Sequence, residues 1–375
     1  MSVNLRARLR ANPAFRSACT LAVVAATLSL GACAGTQATA APLRPVVRGP
    51  QWPVKTREHV DLWLHGFALI SDDTATVPLY ARGYAEHVTI EKNKRGLYTA
   101  LDSARASLAA TLRTRPVLEG TQFIALYFAT WEELKQAIDY FVDAEGDPSK
   151  VRNREVQGIV AFLAQQFPRK EDREFAKRFT TALEGERASF HHQWWLDEQR
   201  ARTAGLARAD SLWQSKWRPA LQTYLNHTQQ PSGDLIVTRA LGGEGRAVPA
   251  GDNASQYAVA WPASADSAEV MLFSFAHEAA GAIAQVAVND HLTPAQQREG
   301  AGAKYSAVGL VRGGALLVER IDPALAERYA RWYLMQAGKP VPARDALAAL
   351  ATAFPMPQDM IDSMKRQIDL AFGGI

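Results

Sequence analysis

The residues best able to do chemistry in this 375-residue chain lie in two short stretches. One is Phe273-Ser274-Phe275-Ala276-His277-Glu278-Ala279-Ala280-Gly281; the other is Leu310-Val311-Arg312-Gly313-Gly314-Ala315. An imidazole can ligate a metal or carry a proton, and a neighbouring carboxylate can accept one. Glu319 lies seven positions after Arg312, on the same helical face, and Asp290 and His291 follow the helix that carries His277. Other chemistry is absent from the sequence. It has no Gly-x-Ser-x-Gly elbow, no phosphate loop ending in Lys-Ser/Thr and no dinucleotide-binding glycine pattern. His191 and His192 are adjacent, so on a helix they point apart and cannot form a metal pair. His65 borders the apolar face of a helix and reads as a partnered core histidine.

The 273–281 stretch resembles the active-site helix of zinc peptidases of the HExxH type, and 310–315 is similar to the third-ligand motif of the gluzincin group, Glu-Gly-x-Ala. The resemblance covers about residues 119–320. It implies a zincin-like core, with His277 as a metal ligand and Glu278 as the general base towards a metal-bound water. Gly281 stands where the family has its second histidine, and Arg312 where it has the glutamate ligand. Arginine stays charged. A unit pair at 4 Å is worth about 4 kcal/mol at an effective dielectric of 20, so a guanidinium would oppose a divalent ion by about twice that. The zinc is therefore expected to be lost, with no cofactor in its place.

Three readings of the function stay open. The first is a non-catalytic relative of a metallopeptidase that binds a peptide or protein partner or is structural; there Arg312 is expected to pair with Glu278 or Glu319. The second is an active metal-dependent hydrolase with an atypical site, with Glu278 as base and the ligands His277, Glu319 and either Asp290 or His291. The third is a helical envelope scaffold, in which Val270, Phe273, His277, Gly281, Ala284 and Val288 are simply a core face. Gly281, Gly309, Gly313 and Gly314 each cost a helix about 1 kcal/mol relative to alanine, which close helix contact or room in a cleft would explain.

The elements that must position these residues read as an α+β fold, predominantly helical. The zincin-like core would be a small sheet plus an active-site-type helix pair, with a large helical insertion at about 151–226. Helical spacing covers 55–70, 77–87 and 94–114. The apolar run 122–129 reads as a strand, with a continuous helix from 121 as the alternative. Thr130-Trp131-Glu132-Glu133 is a capping box opening a helix to about 142. Within the insertion, helices cover 151–167, 171–183 and 186–224, the last interrupted near Pro219. Trp194, Trp195, Trp213 and Trp217 read as core anchors. Strands follow at 235–239 and 256–261, separated by a glycine-rich turn at 242–245. Helices then cover 267–289, 294–319, 323–336, 343–353 and 357–372, two of them announced by Thr293-Pro294 and Asp322-Pro323.

The first residues read as an address. Residues 1–32 hold Arg6, Arg8, Arg10 and Arg16 with no acid, then the short apolar run 18–30, and resemble a lipoprotein signal peptide. Leu30-Gly31-Ala32-Cys33 resembles the bacterial lipobox, which implies diacylation of Cys33 and, with Ala34 following, an outer-membrane protein facing the periplasm. Residues 33–50 read as a flexible tether, 51–118 as an N-terminal helical region and 119–375 as the zincin-like region. Without those four arginines the 42 Lys and Arg fall to 38, matching the 38 Asp and Glu, so the remainder carries no nucleic-acid footprint. The expected partners are the membrane, through the anchor, and a peptide or protein. Cys33→Ser should abolish labelling with radioactive palmitate and release the protein from the membrane fraction; unchanged fractionation would count against the anchor.

Overall fold

Strict alternation cannot explain Leu235-Ile236-Val237 and Tyr257-Ala258-Val259, which are apolar at every position. Such runs suit strands covered on both faces. The computed structural model describes residues 52–251 and 254–373; the expected signal peptide and tether, with Cys33, lie outside them. In it β1 (Val54–Thr56), β2 (Ser232–Thr238), β3 (Arg246–Gly251) and β4 (Ala254–Ala260) form one mixed sheet in the order β1-β2-β4-β3. β1 and β4 flank β2 in parallel, Val54 opposite Leu235 and Leu235 opposite Tyr257. β3 is an antiparallel edge strand, with Val248 opposite Gln256 and an irregularity between Pro249 and Gly251.

The rest is helical. Before β2 come α1 (Glu58–Ile70), α2 (Tyr84–Lys94), α3 (Ala100–Thr114), a 3₁₀ segment (Pro116–Tyr127), α4 (Trp131–Asp143), α5 (Arg154–Gln166) and α6 (Lys170–Glu186). The chain continues through a π turn (Arg187–His191), α7 (His192–Ala201), α8 (Thr203–Leu212), a second π turn (Trp213–Trp217) and α9 (Arg218–His227). After β4 come α10 (Val270–Ala279), α11 (Gly281–His291), α12 (Pro294–Arg298), α13 (Ala301–Ile321), α14 (Pro323–Gln336), α15 (Ala346–Ala353) and α16 (Gln358–Ala371). The fold is thus predominantly helical with a small mixed sheet.

Several local expectations need correction; the helix expected over 294–319 divides at Glu299-Gly300 into α12 and α13, and that over 186–224 is broken by two π turns. Residues 122–129 form no strand; the 3₁₀ segment occupies most of them, and α1 reaches carbonyls at either end of the run. Thr121 accepts from Trp63 Nε1 at 3.0 Å and Phe128 from His59 Nε2 at 3.0 Å, so the backbone is spoken for without a ladder. The helix expected over 77–87 begins only at Tyr84, as α2. Residues 78–81 instead run beside 240–243, with Ala81 N–H on the Ala240 carbonyl and Gly242 N–H on that of Leu79, both at 2.8 Å. The helix expected over 267–289 divides at Ala280 into α10 and α11. The Thr130 and Thr293 caps are present, each threonine accepting from the backbone N–H three residues on. Pro219 has no N–H for a helix bond, and the second π turn ends just before it.

Two cores result, one on each face of the sheet. Ile236, Ala258 and Val248 join the core built from α1 to α6 together with Phe190 and Trp194. Leu235, Val237, Tyr257 and Val259 join the core built from Trp52, Trp213, Trp217 and α9 to α16. In the first core a polar chain is fully paired. Tyr84 donates to His65 Nδ1 at 3.0 Å, His65 Nε2 donates to Glu186 at 3.0 Å, and Lys92 and Thr99 also donate to Glu186. Burial pushes the Glu186 carboxyl up, but His65 and Lys92 outweigh it and hold the group at about 2. Nearby, burial raises Asp61 to about 6 against the Arg239 N–H and Trp195 Nε1–H that donate to it.

The second core includes a point of very close approach between helices. A Cβ at Gly314, on α13, would collide with the hydroxyl of Tyr329 and sit 3.1 Å from the Cα of His277 on α10. At Gly281 it would meet only Leu310 Cδ2, at 3.1 Å. Gly314→Ala should therefore cost about 1–3 kcal/mol of stability, by the overpacking range, in denaturant unfolding followed by tryptophan fluorescence. Gly281→Ala should cost clearly less; equal losses would refute this packing account.

Candidate functional site

β4 hands the chain to α10, and α10 carries His277 back against the sheet. Three hydrogen bonds set the helix in place. Ser274 Oγ accepts the Ala260 N–H at 3.0 Å, tying the helix to the end of β4. Tyr333 Oη, from α14, donates to the Gly243 carbonyl at 2.8 Å and reaches that of Phe273 at 3.3 Å. Tyr224 Oη, from α9, donates to the Ala279 carbonyl at 2.8 Å. The His277 ring stacks on Tyr333, centroids 5.4 Å apart and planes within 9°.

His277 is fully buried, and its Nδ1 lies 3.1 Å from a carboxylate oxygen of Glu278. A carboxylate only accepts, so Nδ1 donates to it. The ring's Nε2 is buried and meets no hydrogen-bond partner among the described residues. A second carboxylate stands close by. Glu244, in the turn before β3, is half-buried and makes no hydrogen bond or ion pair among the described residues. Burial pushes its carboxyl above the ordinary glutamate value; His277 pulls it down and the Glu278 charge adds to the rise. Gly245 lets the backbone close on Glu278: a Cβ there would stand 2.5 Å from the Ala258 carbonyl and 3.2 Å from Glu278 Cγ. The site thus combines one buried imidazole and two carboxylates, with the Arg246 charge acting on Glu244.

The other candidate residues do not join it. Arg312 is turned the other way: its Nη1 donates to the carbonyl of Phe354 at 3.2 Å and reaches that of Ala351 at 3.5 Å, capping the end of α15. The expected pairing of Arg312 with Glu278 or Glu319 is therefore not made, because the last carbonyls of α15 take the guanidinium instead. Glu319 is exposed, in a surface groove with Arg320, Lys365 and Asp369. Asp290 is exposed, and His291 Nδ1 donates to the Ala287 carbonyl at 2.9 Å. Gly281 faces Leu310. Among the described residues no three of His, Cys, Asp and Glu are grouped so as to hold a metal ion. Of the three positions that the resemblance would assign to zinc ligands, His277 alone carries a side chain able to ligate.

His65 is the paired core histidine it was read to be. His191 and His192 diverge, the first buried against His65 and Trp194, the second on Glu58 at 2.9 Å. Trp194, Trp213 and Trp217 are buried core residues. Sequence reasoning missed Glu244, Tyr329 and Tyr333. Glu244 had one signal, an acid set among glycines just ahead of a strand; the tyrosines had their spacing of four on one helix.

Because the folded environment raises the Glu244 pKa, ionised Glu244 opposes folding above that pKa and the penalty disappears as pH falls through it. Glu244→Gln should raise the thermal midpoint at neutral pH and leave it unchanged in acid below the ordinary glutamate value. A loss of stability at neutral pH would show that Glu244 holds the fold together rather than burdening it.

With this geometry in hand, comparison with known proteins adds no relative: no family model, no curated protein and no solved structure matches the chain.

Proposed function

We propose that this is a lipid-anchored cell-envelope protein whose metallopeptidase-like core is non-catalytic and holds an extended segment of a peptide or protein partner. The observation that carries this reading is the combination at α10. The helix bearing His277 and Glu278 follows β4 and packs against it and β3, the strand-then-helix context that the motif requires. The positions that would complete a zinc site have other employment: Gly281 packs on Leu310 and Arg312 caps α15. β3 pairs on one side only, and Pro249, which has no N–H to offer, suits such an edge. An edge strand is a template for a further strand, so a partner can add its backbone there and set side chains towards Glu244 and Glu278.

The reading of an active hydrolase has one observation in its favour, the unpartnered Nε2 of His277. It requires a second and third ligand from residues that the geometry does not bring to His277. Elemental analysis of the lipid-free form beginning at residue 51 separates the two. We expect zinc far below one per chain and no change on His277→Ala. One zinc per chain, lost on that substitution, would sink the non-catalytic reading.

A further inference from the structure

We propose that a cavity between α8, the second π turn and the starts of α10 and α14 binds a small zwitterion: an amino acid or short peptide with free amino and carboxyl ends and apolar side chains. This site lies apart from the cleft at β3 and does not depend on the reading given for it. The cavity measures about 430 Å³, within the range that takes a small molecule. Leu212, Trp217 and Leu325 give it an apolar lining, and three cations and three acids share its walls. Four of these charges are committed to one another. Lys216 Nζ lies 2.5 Å from Asp322, and Arg328 pairs with Glu269. The acids are the covered members, 11% and 13% exposed at their side chains, against 56% and 53% for the cations. Arg208 and Asp266 remain, both exposed and both without a hydrogen bond or ion pair among the described residues.

One uncommitted guanidinium and one uncommitted carboxylate thus line a single cavity, and this selects the ligand. A ligand with only a negative charge would suit Arg208 and be opposed by Asp266; one with only a positive charge meets the reverse. A zwitterion serves both. The flat fork of a guanidinium matches a carboxylate, and the Asp266 carboxylate accepts from an ammonium. An apolar side chain between the two ends covers Leu212, Trp217 and Leu325. The two charges are carried on elements fixed against each other. Arg202, at the start of α8, donates from Nη1 to the Trp261 carbonyl at 3.0 Å, tying that helix to the end of β4. Gly205 lets α8 close on the loop that follows: a Cβ there would stand 3.0 Å from the Pro262 carbonyl oxygen and 3.1 Å from that of Ser264. In the same loop Ser267 Oγ accepts the Ser264 N–H at 3.0 Å, which sets the 3₁₀ turn (Ala265–Ser267) that bears Asp266. Lys216 and Trp217 come from a π turn, a device that recurs at functional sites within helices.

Leucine, dileucine and trileucine, each zwitterionic, are titrated into the full chain by calorimetry. The tightest of them is then compared with its N-acetyl form, which keeps only the carboxylate, and its amide, which keeps only the ammonium. We expect saturable binding that either block weakens by about tenfold or more. In Asp266→Asn the penalty for acetylation should vanish, and in Arg208→Gln the penalty for amidation. Both side chains are exposed, so neither change touches a core. Glycerophosphoethanolamine, a zwitterion with a phosphate for its anion and no apolar side chain, should bind about tenfold more weakly or worse. A blocked form that binds as tightly as its parent would overturn the zwitterion assignment. Penalties that survive both substitutions would place the binding elsewhere and overturn the site. Equal binding of glycerophosphoethanolamine would overturn the amino-acid class in favour of a lipid headgroup, and no saturable binding of any probe would remove the proposal outright.

Discussion

The structure depends on a sheet that must be dry on both faces. Leu235 and Val237 belong to one core and Ile236 to the other, so each central strand is buried whichever way its side chains point. A sheet of this kind has no solvated face on which to build a site. What it offers is strand ends and edges. The chemistry-bearing residues are accordingly found where the chain leaves the sheet: Glu244 ahead of β3, His277 and Glu278 on the helix after β4, Arg239 just past β2. The tight seam of α10 on α13 then fixes how deeply His277 sits, because Gly314 allows that backbone to approach.

Polar groups are buried in both cores, and the contrast between them is informative. Around Glu186 every participant has a partner, and two charges of opposite sign, Lys92 and Glu186, lie 2.8 Å apart. Such a network is self-sufficient; removing one member leaves a charge stranded. Around His277 the accounting does not close. Its Nε2 is buried and meets no hydrogen-bond partner among the described residues, and the half-buried Glu244 carboxyl has none there either. Fully paired polar clusters are ordinarily structural, and incompletely paired ones next to an open strand edge are where a partner can contribute what is missing.

Much of this organisation was legible from residue order, for reasons that can be named. The strands at 235 and 256 announce themselves as short apolar runs between turn residues, and the caps at Thr130 and Thr293 follow from side-chain reach to a nearby N–H. The run at 122–129 was not readable, because strand and helix share that composition and the outcome turned on Trp63 and His59, about sixty residues earlier, claiming its carbonyls. β1 was invisible: Val54-Lys55-Thr56 has no pattern of its own and is a strand only because β2 accepts it. His277 and Glu278 were visible as a pair. Their neighbour Glu244 and the outward turn of Arg312 belong to contacts between distant elements, which local spacing does not encode.

The pairing of β1 with β2 has a consequence for how the molecule is made. Val54 aligns with Leu235, 181 residues further along, in parallel. Contacts of such long range cannot form until the intervening chain has been synthesised or released, and closing so large a loop is slow compared with helix formation. Until then the helices from α1 to α6 lack the floor that Ile236, Val248 and Ala258 provide. The nascent chain therefore stays open through most of its length and commits late. For a chain proposed to cross a membrane before it folds, delayed closure is an asset.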